Sequence, residues 1–117
     1  MHDLSERLLD YSARIVKLVG ALPPTAVARR LGDQLLRCGT AVGANYEESQ
    51  AAESKVDFLH KLQIALKEMR ESNYWLRLLI RAELVPAERL SPLLDESDQL
   101  RAILSKAVAT AKGTQKK

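Results

Sequence analysis

Three glycines at heptad spacing inside a helical segment constrain this chain more than any other feature. Residues 34–48 read QLLRCGTAVGANYEE, with no helix breaker other than the glycines themselves. One seam runs Ala28, Leu31, Leu35, Cys38, Val42 and Asn45 at steps of three and four, the period of a core-facing helix. A second seam, turned slightly around the same helix, runs Gly32, Leu36, Gly39, Gly43 and Tyr46. Each glycine in a helix interior costs about 1 kcal/mol relative to alanine. Three on one line therefore imply a backbone that another helix approaches closely, and a helix packed from two sides.

The rest of the chain supplies the packing partners. A first helix is expected to start after Asp3 or Ser5 and to run to about Ala21. Leu4, Leu8, Tyr11, Ile15, Leu18 and Leu22 form its apolar line, and Leu9, Val16 and Val19 widen it. Pro23-Pro24-Thr25 breaks that helix and opens the next. Residues 49–53 read as the following connection, since Ser54-Lys55-Val56-Asp57 is close to a capping box with Asp in place of Glu. The third helix carries Phe58, Leu62, Ala65, Met69, Ser72, Leu76 and Leu79 on its core seam. Pro86 ends it, and a fourth begins at Ala87 or restarts at Ser91-Pro92, with Leu93, Leu100, Leu104, Ala107 and Ala111 in line. Four helices with short connections imply an all-α, antiparallel up-down-up-down four-helix bundle over residues 1–111. A disordered basic tail is expected over residues 112–117.

Composition narrows the class. Aromatic residues are only 4% of the 117, while Leu, Ala, Glu, Lys and Arg dominate, which favours helices over a sheet. No apolar run approaches the ~20 residues a membrane span needs, and the acidic, amphipathic start is not a signal peptide. A single cysteine, Cys38, excludes an internal disulfide and fits a reducing, cytoplasmic setting. The formal net charge is +3, but Lys112, Lys116 and Lys117 account for all of it. The folded part is charge-balanced, so a generic basic footprint is weak evidence for nucleic acid.

No constellation for catalysis or for a cofactor is visible. A di-metal bundle needs inward glutamates and paired Glu-x-x-His motifs; the chain offers Asp57-x-x-His60, and Glu68-x-x-Glu71 without a histidine, while His2 lies at the N-terminus. Cys38 falls on the core seam, where a thiol is inert packing. Glu68 and Glu71 are expected to pair with neighbours such as Lys67 and Arg70 rather than to act as an acid/base couple. Asn45 on the core seam reads as a structural amide that should be hydrogen-bonded if buried. Neither an enzyme nor a metal or cofactor site is expected.

What remains is surface. The third helix has a second line, Ile64, Glu68, Glu71, Trp75 and Leu78, that a single-sided helix would not need. Together with Gly32, Leu36, Gly39, Gly43 and Tyr46, the residues Ile64, Trp75 and Leu78 are candidates for a subunit interface. Arg7, Arg14 and Lys17 on the first helix, Arg30 and Arg37 on the second, and the tail lysines Lys112, Lys116 and Lys117 are the candidate contacts to nucleic acid.

Four motifs carry a resemblance: QLLR (34–37), GTAVGANYEE (39–48), SKVDFLHKLQIALKE (54–68) and YWLRLL (74–79). They resemble the bacterial four-helix bundle proteins first noticed in intervening sequences of large-subunit ribosomal RNA genes, distant cousins of the accessory variability determinant of diversity-generating retroelements. The resemblance covers nearly the whole chain before the tail. It implies an antiparallel four-helix bundle assembling into a ring, typically a homopentamer, with nucleic-acid association suspected. The family's Gln-Leu-x-Arg and Asn-x-x-Glu elements fall on Gln34, Leu35 and Arg37 and on Asn45 and Glu48. Cys38 and Ala41 stand where serines are common, and Tyr46 where a β-branched residue is usual, which argues against chemistry by a hydroxyl at 38 or 41. The function expected is a non-catalytic, ring-forming bundle that binds RNA, DNA or a nucleic-acid-binding protein. The alternative is a homo-oligomeric protein-binding scaffold with no nucleic-acid affinity.

Overall fold

The computed structural model describes residues 3–115, and every regular element among them is an α-helix. α1 spans Leu4–Gly20, α2 Ala26–Gln50, α3 Lys55–Arg81 and α4 Ala87–Gln115. Three helix starts are fixed by side chains that accept from otherwise unpaired backbone N–H groups. Asp3 accepts from Glu6 N at 2.8 Å, Thr25 from Ala28 N at 3.1 Å and Ser54 from Asp57 N at 3.0 Å. Ser5, the other candidate cap of α1, instead donates its hydroxyl to Glu47 of α2 at 2.6 Å.

Two boundaries differ from those the sequence suggests, and at a third the structure takes the first of two alternatives. α2 continues through Gln50, because Ser49 is buried and its hydroxyl donates to the Tyr46 carbonyl at 2.6 Å instead of breaking the helix. α4 starts at Ala87 with Pro92 inside it. The missing Pro92 N–H deprives only the carbonyl of Glu88, an exposed residue in the first turn. α4 also runs past Ala111 to Gln115, since a lone Gly113 costs too little to stop a helix. Of the tail expected over 112–117, Lys116 and Lys117 lie outside the described residues, as does His2.

Successive helices are antiparallel and pack in chain order, α1 on α2, α2 on α3 and α3 on α4, with a light return of α4 onto α1. The bundle measures 50 × 24 × 23 Å. Leu8, Tyr11 and Ile15 meet Leu35 and Val42, Leu62, Met69 and Leu76, and Leu100 and Leu104 in one continuous core. The threefold-fourfold seams are thus buried as their spacing requires. Leu9 and Val16 are the exceptions: they point outward and are 62% and 52% exposed.

The glycine seam is filled from within the chain. A Cβ added to Gly39 would lie 2.9 Å from Ile15 Cγ2, and one at Gly32 would lie 3.0 Å from Leu22 Cδ1. The helix that approaches the α2 backbone is therefore α1 of the same molecule. A polar layer crosses this core at the level of Tyr11. Its hydroxyl bonds Ser72 Oγ, Asn73 Nδ2 donates to Ser97 Oγ at 3.1 Å and to Asp98 Oδ1 at 2.8 Å, and burial pushes the phenol pKa up. No buried side-chain polar atom among the described residues lacks a partner. Such a layer satisfies its own groups and fixes the axial register of α1, α3 and α4.

The α3–α4 connection holds the one non-glycine residue with positive φ among the described residues. Glu83 N–H bonds the Ile80 carbonyl at 2.9 Å and Leu84 N–H the Leu79 carbonyl at 3.0 Å, a Schellman closure. This geometry puts Glu83 at φ 60°, the left-handed region that glycine enters without penalty. Glu83→Gly is expected to stabilise the protein by about 0.5–1 kcal/mol, read as a raised urea midpoint with unchanged slope. A lowered midpoint would show that the Glu83 side chain contributes more than its backbone strain costs.

Candidate nucleic-acid interface

The cations singled out in the sequence do not form one surface. Arg7 is locked to α4, with Nη2 2.7 Å from Glu96 Oε1 and Nε 3.1 Å from Glu96 Oε2. Arg37 reaches across to α3, where Nη1 lies 3.2 Å from Glu68 Oε2 and Nη2 contacts Glu71. Glu71 also accepts from the Trp75 indole N–H at 3.0 Å. Those two donors, the indole first, hold its carboxyl below the usual range. The sequence expectation that Glu68 and Glu71 pair with Lys67 and Arg70 on their own helix is thus corrected: α2 supplies the partner. Arg14 and Lys17 are exposed and line a hollow of about 650 Å³ with Arg7, but the carboxylates of Asp10 and Glu96 share it. Arg30 stands exposed on α2, outside that hollow.

Because Arg37 takes both glutamates, the outer crest of α3 keeps its positive charge. Lys67, Arg70, Tyr74, Arg77 and Arg81 follow one another at steps of three and four, and all are exposed. Among the described residues, none of the three arginines is in an ion pair. Arg70 and Arg77 also line the groove between α3 and α4, which α4 extends with Arg101 and Lys112. The carboxylate in that groove is Asp98, already engaged by Asn73 and, at 3.5 Å, by Arg101. The whole forms a strip of cations along two antiparallel helices with a tyrosine on its rim. Spacing alone could have revealed the line, but the interleaved Glu68 and Glu71 masked it.

The interface candidates divide likewise. Gly32 and Gly39 are buried under α1, Gly43 sits in ordinary contact with Leu8, and Tyr46 packs on the core. Gly32 and Gly39 are therefore packing positions within the subunit, whereas Gly43 and Tyr46 are half-buried and keep part of their surface. Leu36, Ile64, Trp75 and Leu78 keep part of their surface on the α2–α3 side. An apolar opening of about 640 Å³ lies between the start of α3 and the end of α4 and is lined by Phe58, Ile103, Ala107 and Ala111. α1 has 17 residues against 29 in α4, hence about 25 Å of length against about 43 Å, and cannot cover all of it.

Cys38 and Asn45 are both held within the packing of α2. Cys38 is fully buried, donates to the Leu35 carbonyl, and has its thiol pKa pushed up to about 12 by burial. Asn45 Nδ2 donates to the Ala41 carbonyl one turn back at 2.9 Å, so the amide is satisfied inside its own helix. Among the described residues no three His, Cys, Asp or Glu side chains converge as metal ligands, and no helix is long and apolar enough to cross a membrane.

Fold and surface together define an all-α four-helix bundle with open grooves on its surface. The 23S rRNA-intervening sequence protein family model matches residues 3–106, and the chain belongs to that family. Among solved structures it is similar to a protein of the S23 ribosomal protein family from Bacteroides thetaiotaomicron VPI-5482, described as being of unknown function. The two share 36% identity with a TM-score of 0.85, over 91% of this chain and 98% of the other. A search of curated proteins found no match.

Proposed function

We propose that this protein is a non-catalytic, cytoplasmic, ring-forming bundle that binds a nucleic acid through the outer crest of α3 and the adjoining α3–α4 groove. The observation that carries this reading is the line Arg70, Arg77 and Arg81, three exposed guanidinium groups with no carboxylate partner among the described residues. Guanidinium groups match phosphate oxygens bidentately, and self-repulsion along such a line is relieved when an anion binds. Assembly multiplies a modest strip: copies around a ring raise the effective concentration of each for one strand. The exposed Leu9 and Val16 and the apolar opening near Phe58 supply surface that a ring of copies would cover. That same opening favours the second reading, a homo-oligomeric scaffold for a protein partner.

One experiment separates the two readings. Mobility-shift titrations with RNA and DNA at about 50 and 200 mM salt should show a complex that weakens steeply as salt rises, since each neutralised phosphate releases counterions. Light scattering on the same sample should report an oligomer. An intact oligomer that shifts neither nucleic acid at the lower salt would favour the protein scaffold, and a monomer would remove the ring.

A further inference from the structure

Tyr74 stands out on the crest because nothing in the fold requires an aromatic ring there. It is 51% exposed, one helical step from Arg70 on one side and Arg77 on the other. Its ring is nevertheless held. Trp75 meets it edge-on, with centroids 5.3 Å apart and planes at 75°, and Trp75 is itself tethered through its indole N–H to Glu71. Glu71 is fixed in turn by Arg37 of α2. The result is a half-exposed aromatic surface braced by three residues in series, Trp75, Glu71 and Arg37. The Arg77 guanidinium lies 5.9 Å from the ring centroid, and Arg77 is in no ion pair among the described residues.

We infer that the ligand of this crest is a single-stranded nucleic acid, one of whose bases stacks on Tyr74 while neighbouring phosphates bind Arg70, Arg77 and Arg81. This rests on the nucleic-acid reading above and narrows it. A base offers its flat face to an aromatic ring only when it is unpaired, whereas a duplex hides its base faces and presents phosphates alone. A helix crest bearing a half-exposed ring between cations suits the first ligand and gives no advantage with the second. Arg77 leaves the ring for a phosphate as the base arrives, so the cation that covers Tyr74 in the free protein becomes part of the backbone contact. Every base offers a π-face to the ring, so stacking on Tyr74 discriminates strand form more than sequence.

The test is fluorescence anisotropy with a labelled 12-nucleotide oligo(A) RNA and with a blunt RNA duplex of the same length, at about 50 mM salt. Wild type is expected to bind the single strand at least about tenfold more tightly than the duplex. Tyr74→Ala should lose roughly ten- to a hundredfold for the single strand, change little for the duplex, and leave the salt slope unaltered, because no phosphate contact is removed. Tyr74→Phe should retain most of the affinity. Trp75 is the only tryptophan, and single-strand binding should quench its emission in wild type but not in Tyr74→Ala. Equal binding of both forms, with Tyr74→Ala matching wild type, would overturn the stacking while leaving phosphate binding intact. Absence of binding to either form would overturn both. Loss of single-strand and duplex binding alike in Tyr74→Ala would also count against stacking.

Discussion

Gly39→Leu is expected to cost about 3 kcal/mol or more, at the top of the range for overpacked cores, and to lower the melting temperature by on the order of 10 °C. The reason is local. Even a bare Cβ at position 39 would meet Ile15 Cγ2 at 2.9 Å and Cγ1 at 3.0 Å. Ile15 is β-branched, fully buried and stiff at χ1, so it cannot swing aside. α1 must move off α2, and its displacement strains the Tyr11–Ser72 bond and the Arg7–Glu96 tie that set its register. Two controls sharpen the result. Ala41→Leu, at a partly exposed position away from this contact, should stay within about 1 kcal/mol of wild type. Gly43→Ala lies on the same seam but would place its Cβ 3.5 Å from Leu8 Cβ, an ordinary contact. There the gain in helix propensity wins, and stability should rise by up to about 1 kcal/mol. Equal melting of Gly39→Leu and Ala41→Leu would show that α1 does not sit against the glycines as described.

The four helices were legible because each signal is local. Thr25 and Ser54 sit where a cap must sit, Pro23-Pro24 and Pro86 where a helix must end, and the apolar seams keep the helical period between them. What the glycines pack against was not legible. A line of small residues says that a backbone comes close, but Ile15 of the same chain and a helix of another copy leave the same signature in α2. Only the path of α1 across Gly39 and Gly32 distinguishes them. Leu9 and Val16 were misplaced for a similar reason. They lie one position beyond Leu8 and Ile15, close enough to widen an apolar stripe on paper, yet α1 is covered by neighbours on one side only.

The candidate site shows the same limit in its electrostatics. The spacing of Lys67, Arg70, Tyr74, Arg77 and Arg81 is plain in the sequence, but local reasoning neutralises it with Glu68 and Glu71, which are adjacent. Those carboxylates face α2 because Arg37, more than thirty residues earlier, meets them there. One long-range ion-pair set thus removes Arg37 from the list of free cations and returns Arg70 to it. Overall charge balance conceals such segregation entirely, since it depends on which side of a helix each charge occupies.

The claim that a nucleic acid lies along α3 is tested most directly by the salt dependence of a crest variant. Replacing Arg70, Arg77 and Arg81 together by glutamine removes three phosphate contacts without touching a buried residue or an ion pair among the described residues. For a single strand each lost contact should flatten the slope of log K against log salt by about 0.7, or about two in all. That difference grows as salt falls, so at about 50 mM the affinity should drop on the order of a hundredfold. The matched change at Arg14 and Lys17 should lose far less, because Asp10 and Glu96 already offset that hollow. Circular dichroism should be unchanged in both variants. The expected result is a crest variant with a flattened slope beside an α1 variant close to wild type. A crest variant with wild-type affinity and slope, and an α1 variant that has lost both, would contradict it.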